Sequence, residues 1–333
     1  MSWLVWRQYR AQGAIALALL AGFGAVLIVT GAQMASQWHS GLASCAASGT
    51  CAKLAQTLSL GSPLGRDFVL LSNLVPALLG FLWGAPLVAG EVEAGTRAYA
   101  WTQGISRTRW LLVKAGWLLL AAAAWGGAVT ALTTWWYGPR NALYASAFQP
   151  NTFDTQGIVT VGYSVFALAL GVAAGALTRR TLPAIAITIG GFIGMRLLIS
   201  EVVRQHYLTA VTAFYNPLQA FAPPGPAWTL QQGVMDKYGQ VFTGGNGPEV
   251  NGVPFSALPA NCQKFIMIDP GTMTKTSLHA AVTCMQASGF RGFVTYQPAS
   301  RWWAFQGIET GIFLALAAAL IAAALVVVRR RDA

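Results

Sequence analysis

Six runs of apolar residues, each about as long as a hydrocarbon core is thick, dominate the chain. They cover Ala14–Met34, Phe68–Ala89, Leu111–Trp135, Val159–Leu177, Leu182–Val203 and Ala304–Val328. A helix needs roughly 20 mainly apolar residues to cross a bilayer. Lipid offers the backbone no hydrogen-bonding partner, so each run is predicted to be helical. Composition agrees, since only 9% of the 333 residues are charged and 55% are hydrophobic. A soluble domain carries about 25% charge. The first run resembles a secretory signal, with Arg7 and Arg10 ahead of it and Ala-Gln-Met-Ala behind. It is longer than an h-region and five more runs follow, so an uncleaved first span is expected. Pro76 is expected to kink the second span.

The basic residues set the orientation. The formal net charge is +11, but the lysines and arginines mostly flank the apolar runs, which points to membrane topology and anionic lipid heads rather than nucleic acid. Arg7, Arg10, Arg97, Arg107, Arg109, Lys114, Arg179, Arg180 and Arg329 to Arg331 fall in the short connections on the N-terminal side. Basic density there is about fivefold higher than in the opposite connections, so both termini are expected to be cytoplasmic. Tryptophan and tyrosine prefer the headgroup level, and Trp3, Trp6, Trp135 to Tyr137 and Trp302–Trp303 read as interfacial anchors.

The resulting fold class is an all-α membrane protein of six transmembrane helices, with a small extracellular α+β module between the fifth and the sixth. Residues 1–203 hold spans one to five, 204–303 the module, and 304–333 span six with a basic tail. A structureless loop of such length is unusual. Within it, "TSLHAAVTCMQASG" predicts a helix capped by Ser277 and stopped by Gly289. "GFVTY" predicts a strand over Gly292–Tyr296, and "GGNGPEVNGVP" a turn region. All four cysteines fall outside, where disulfides persist. Local pairs, Cys45–Cys51 and Cys262–Cys284, are expected to pin the outer loops. Four cysteines allow three connectivities, so a bridge between the loops and four free thiols stand as alternatives. His39, His206 and His279 lie far apart, and no metal site is expected.

An ionisable group within a span costs about 2.5–3.5 kcal/mol at mid-bilayer on insertion scales and usually faces the protein interior. Two are visible. Arg196 lies in the outer part of span five and Glu309 near the outer start of span six, at comparable depth. One reading pairs them near the exit of a translocation path. The alternative is that Arg196 snorkels to lipid heads, with Glu201 nearby. Small residues in "GAPLVAG", "GVAAGA" and "TIGGFIG" permit close helix approach.

The densest polar segment lies between spans two and three, over residues 91–110. Gly95 interrupts the helix, Thr96 is placed to cap a short helix to about Gln103, and Ser106 to cap the next. On the residues alone, it reads equally as a plain polar connector and as an element that lies in a groove on a partner. The stretch "APLVAGEVEAGTRAYAWTQGISRTRWLLVKAGWL" resembles the cytoplasmic signature of ABC-2-type transporter permeases, especially the actinobacterial type. There, an acidic residue and Gly-Thr follow the second span, and an "AWTQ" segment leads into a basic start of the third. The layout of six spans, with a large outer loop before the last, is similar too.

The resemblance implies a half-transporter in a bacterial cell membrane, paired with a second copy or a sister permease. A separate ATPase, which binds the ATP and Mg, would dock on residues 91–110. The matching positions are Glu91, Glu93, Gly95, Thr96, Arg97, Trp101, Thr102 and Gln103, with Arg107 and Arg109 as the basic lead-in. Substrates in this family are often hydrophobic, which suits a bundle with few interior charges. The chain is not expected to be an enzyme or to hold a cofactor. None of its five lysines follows a glycine, as a phosphate-cradling Walker A loop requires. A membrane-embedded enzyme built on Asp236, Glu249, Asp269 or His279, or a sensor or assembly protein, are the competing readings. No catalytic motif joins those four residues.

Overall fold

The computed structural model describes residues 2–48, 63–95, 106–143, 148, 150–217, 227–244, 249–265 and 275–331. Among the described residues, six helices are long and apolar enough to cross a membrane: Arg10–Leu42, Val75–Glu93, Thr108–Gly138, Val159–Thr178, Thr181–His206 and Ala299–Arg330, hereafter spans one to six. The chain divides into two compact units, Met1–Tyr207 with Trp302–Ala333, and Leu208–Arg301.

In the first unit span four is central, with 15 of its 20 residues buried. Spans two and four touch backbone to backbone. A Cβ on Gly84 would lie 2.5 Å from the Leu168 carbonyl, and one on Gly171 would lie 2.3 Å from the Gly80 carbonyl. Only glycine on both helices permits that approach. Around the seam, Leu79, Leu87, Val88, Trp110, Leu111, Leu118, Leu168, Val172 and Val328 form one apolar core.

The helices depart from the sequence reading in three ways. Span one belongs to a helix running Ser2–Ser48, well beyond the apolar run, because the flanking Ala, Gln and Arg residues continue it. Span two is broken rather than smoothly kinked. The helix Pro63–Ser72 stops, Asn73–Leu74 form a turn, and helix resumes at Val75–Leu79 with Pro76 in its first turn. Proline lacks the N–H that a continuous helix would donate to Ser72, so the chain restarts there. A π turn, Gly80–Gly84, follows before Ala85–Glu93. Third, the anchors after span three divide. Trp135 is exposed, whereas Trp136 is 1% exposed and its Nε1 donates to Thr30 Oγ1 on span one at 3.0 Å. Trp136 is a packing residue, whereas its neighbour stays exposed.

The second unit holds a four-stranded antiparallel sheet in the order β1-β6-β2-β3, comprising β1 Val211–Tyr215, β2 Ala227–Met235, β3 Val241–Phe242 and β6 Arg291–Pro298. A hairpin of β4 Glu249–Val250 and β5 Val253–Pro254 turns at Asn251–Gly252. The expected helix covers Lys275–Ala287, beginning two residues ahead of Ser277, and Gly289 follows it with φ +92°. Cys262 and Cys284 form a disulfide that ties this helix to the Ala260–Gln263 turn. Of the other expected pair, Cys45 lies in the helix Ser2–Ser48 and Cys51 lies outside the described residues. At the neck of the unit, Arg301 Nη1 donates to Thr209 O at 2.6 Å and Gln297 Nε2 to Leu208 O at 2.7 Å, joining its incoming and outgoing strands.

Candidate functional site

Two polar clusters occupy opposite ends of the first unit. One surrounds the turn before span four, at the end where the chain leaves for the sheet unit (the insertion end). The other flanks residues 94–106 (the connector end).

The insertion-end cluster begins with a loop that folds back. After a helical turn at Pro150–Phe153, residues 154–158 descend into the bundle, Gly157 with φ +70°. Its backbone polar groups are met by side chains from other helices. Thr130 Oγ1 donates to Gly157 O at 2.7 Å, and Thr134 Oγ1 accepts from Gly157 N at 3.1 Å. Thr133 Oγ1 donates to Thr155 O. Gln306, fully buried on span six, accepts from the Ile158 and Val159 amides at 3.0 and 2.9 Å and donates to Phe153 O at 3.1 Å. A cap for span four is therefore supplied by another helix.

This loop delivers Asp154, 6% exposed, into a set of charges. Arg204 Nη2 donates to Asp154 Oδ1 at 2.5 Å and to Glu309 Oε1 at 2.8 Å, while its Nε donates to Glu309 Oε2 at 2.8 Å. The last two bonds form a two-pronged guanidinium–carboxylate fork, a strong and directional pairing. Arg204 and Glu309 are 1% and 0% exposed. Arg196 pairs with Asp154 Oδ2 and also grips the broken span two, with Nη1 to Asn73 O at 3.1 Å and Nη2 to Asn73 Oδ1 at 3.0 Å. The Tyr163 hydroxyl of span four lies within hydrogen-bonding reach of both carboxylates, with one proton to give between them, and Tyr207 donates to Glu309 Oε2 at 3.1 Å. Burial and the Glu309 carboxylate push the Tyr207 phenol above its ordinary range, which keeps it a donor. The arginines also stack, Arg204 at 4.3 Å from the Phe153 ring and Arg196 at 4.7 Å from that of Tyr163.

Two arginines and two carboxylates balance formally. Four isolated charges at this price per group would cost on the order of 10 kcal/mol, so neutrality and complete pairing are conditions for burying them at all. Local helix geometry permits it. Arg204 follows Arg196 by eight residues, which overshoots two α-helical turns by about 80°. The π turn Ile199–Val203 lies between them, and its wider turn takes up that excess so that both guanidinium groups reach Asp154.

Of the residues read from sequence, Arg196 and Glu309 both belong to this cluster. They are bridged by Asp154 and Arg204 rather than joined directly, which corrects the expected pair. The interior also holds more charge than the two groups foreseen. Asp154, Arg204, Tyr163 and Gln306 were missed. Arg204 follows its apolar run by one residue, and Asp154 is the lone acidic residue between spans three and four. These are the available signals.

At the connector end, the helix of span two stops at Glu93, with Gly95 at φ +68°. Ser106 Oγ accepts from Arg109 N at 3.4 Å at the start of the next helix. Glu91 pairs with Lys114 of span three, whose side chain is 1% exposed and lies 5.2 Å from the Trp110 ring centroid. Glu93 accepts from the Thr181 amide at 3.1 Å and from its hydroxyl, at the start of span five. Arg329 Nε donates to Thr108 Oγ1 at 3.0 Å, bringing in span six. Thr96, Arg97, Trp101, Thr102 and Gln103 lie outside the described residues, and Arg107 begins the span-three helix. The two glutamates thus fasten the end of span two to spans three and five.

A family model described as "ABC-2 membrane transporter related" matches residues 17–204, more than half of the chain. No curated protein and no solved structure gives a match. The matched stretch runs from within span one into span five and includes the connector and three of the four charges of the insertion-end cluster, ending at Arg204; Glu309 lies beyond it. Six apolar helices agree with that assignment, and the chain belongs to the ABC-2 membrane transporter related family, as a multi-pass membrane subunit of a transporter.

Proposed function

We propose that this chain is the permease subunit of an ABC exporter that moves a hydrophobic or amphipathic substrate outward. A separate ATPase, binding ATP and Mg, docks on residues 91–110 and drives it. The permease works with a second copy or a sister permease, both termini on the cytoplasmic face of a bacterial cell membrane. The observation that carries this reading is the anchoring of Glu91 and Glu93. A connector whose leading flank is bonded to spans three and five is a lever, because displacement at residues 94–106 is passed to three helices at once. A free polar loop would pass on nothing.

An apolar cargo is in keeping with an open apolar groove between span one, the Pro63–Ser72 helix and spans two and three, lined by Ile15, Leu19, Phe23, Phe68, Leu78 and Trp83, of which Ile15, Leu19 and Leu78 are exposed. Co-purification tests the docking. The ATPase is expected to accompany the wild-type permease and to be lost from Arg97→Glu/Trp101→Glu; retention by that variant contradicts the assignment. In the reconstituted complex, lipophilic compounds are expected to stimulate ATP hydrolysis, and a flat response across a broad panel contradicts the proposed cargo.

A further inference from the structure

The insertion-end charges fall into a part that is closed and a part that is able to open. Arg204 and Glu309 are sealed from solvent, and each satisfies the other through the fork. Removing either partner strands a buried charge. Arg196 differs. Its side chain is 17% exposed, and two of its three polar contacts go to Asn73, in the turn where span two is broken. If those two bonds open, Asp154 keeps Arg204 on its Oδ1, and no carboxylate is left bare. Asn73 lies in the turn that leads into span two, which ends, past the π turn Gly80–Gly84, in Glu91 and Glu93. Span two therefore has one end fastened beside the connector and the other held by a contact that releases without stranding a charge.

We infer that Arg196 is a positioning residue for coupling: its grip on the Asn73 turn passes displacement of span two to the Asp154–Arg204–Glu309 lock. The inference rests on the ATPase-driven reading above. Lysine at position 196 retains the charge for Asp154, but its single ammonium cannot present the planar fork that holds both Asn73 oxygens and Asp154 together. Asn73→Ala removes one of those oxygens and leaves every charge in place. Both variants weaken the grip while sparing the lock.

The test uses the complete transporter, permease with its ATPase, in liposomes. Nitroxide labels are placed on Leu64→Cys, ahead of the turn, and on Ile158→Cys, at the start of span four; both positions are exposed. Pulsed EPR compares the nucleotide-free and ATP-bound states. In the otherwise wild-type background ATP is expected to shift the label distance. In Arg196→Lys and Asn73→Ala that shift is expected to be lost while ATP hydrolysis continues, and Asn73→Asp, which restores an acceptor for Arg196, is expected to keep it. A shift that persists in both weakened variants overturns the inference. So does a parallel fall of shift, ATP hydrolysis and melting temperature in both, which marks a merely structural role. A wild-type permease that binds no ATPase fails the underlying reading. A wild-type complex that hydrolyses ATP without any shift fails this inference alone.

Discussion

The two ends of the bundle use the same side-chain chemistry to opposite effect. At the insertion end, two arginines and two carboxylates from spans five and six and the folded-back loop are closed together, with Arg204 and Glu309 almost wholly excluded from solvent. At the connector end, one buried lysine meets a glutamate that is 15% exposed, and the second glutamate, itself exposed, bonds a half-buried threonine. A closed, neutral cluster in low dielectric is expensive to open, because each partner left behind is an unpaired buried charge. Pairs that reach solvent are screened and worth little. The contrast assigns the costliest opening to the Arg204–Glu309 lock and a cheaper one to the pairs at the end proposed to meet an ATPase.

The sharpest way to break that contrast is at the lock. Glu309→Gln is expected to destabilise the permease by about 3–5 kcal/mol, the cost of stranding a buried partner charge. Thermal unfolding in detergent checks it, and the double variant Arg204→Met/Glu309→Met is expected to recover part of the loss. Next comes the cap supplied in trans. Gln306→Leu leaves the Ile158 and Val159 amides without their acceptor and is expected to cost about 1–2 kcal/mol, read as a lower melting temperature. The connector end is expected to respond least and asymmetrically. Glu91→Gln removes the carboxylate that faces Lys114, which is buried, whereas Lys114→Met leaves a glutamate with access to water. The first is therefore expected to lower stability more than the second, and equal effects would erase the distinction drawn between the two ends.

The spans were legible in sequence because hydrocarbon imposes a length and forbids charge. Span four was expected over Val159–Leu177 and is found over Val159–Thr178. Arg196 and Glu309 were visible for the same reason, as charges standing inside apolar runs. Their partners were not, since Asp154 and Arg204 lie just beyond the runs and look like loop residues. Their burial is decided by the return of residues 154–158 into the bundle and by the π turn that aligns the arginines. Both are tertiary facts. Gln306 carries no charge and has no sequence signal, and Trp136 was read with its exposed neighbour Trp135 because adjacency in sequence hides which helix face each occupies. In the sheet unit, β6 was legible from "GFVTY". By contrast β2 was missed, its "TLQQG" polar and its register shifted between Thr229 and Gln231.

The central claim is that the connector between spans two and three is a cytosolic lever held by an ATPase. Ser106 is exposed at the end of that connector. A thiol introduced there, Ser106→Cys, tests the claim with a membrane-impermeant maleimide. It is expected to stay unlabelled on intact cells, to label once the membrane is opened, and to be protected when the ATPase is bound. Labelling on intact cells would place the lever on the outside and contradict the account.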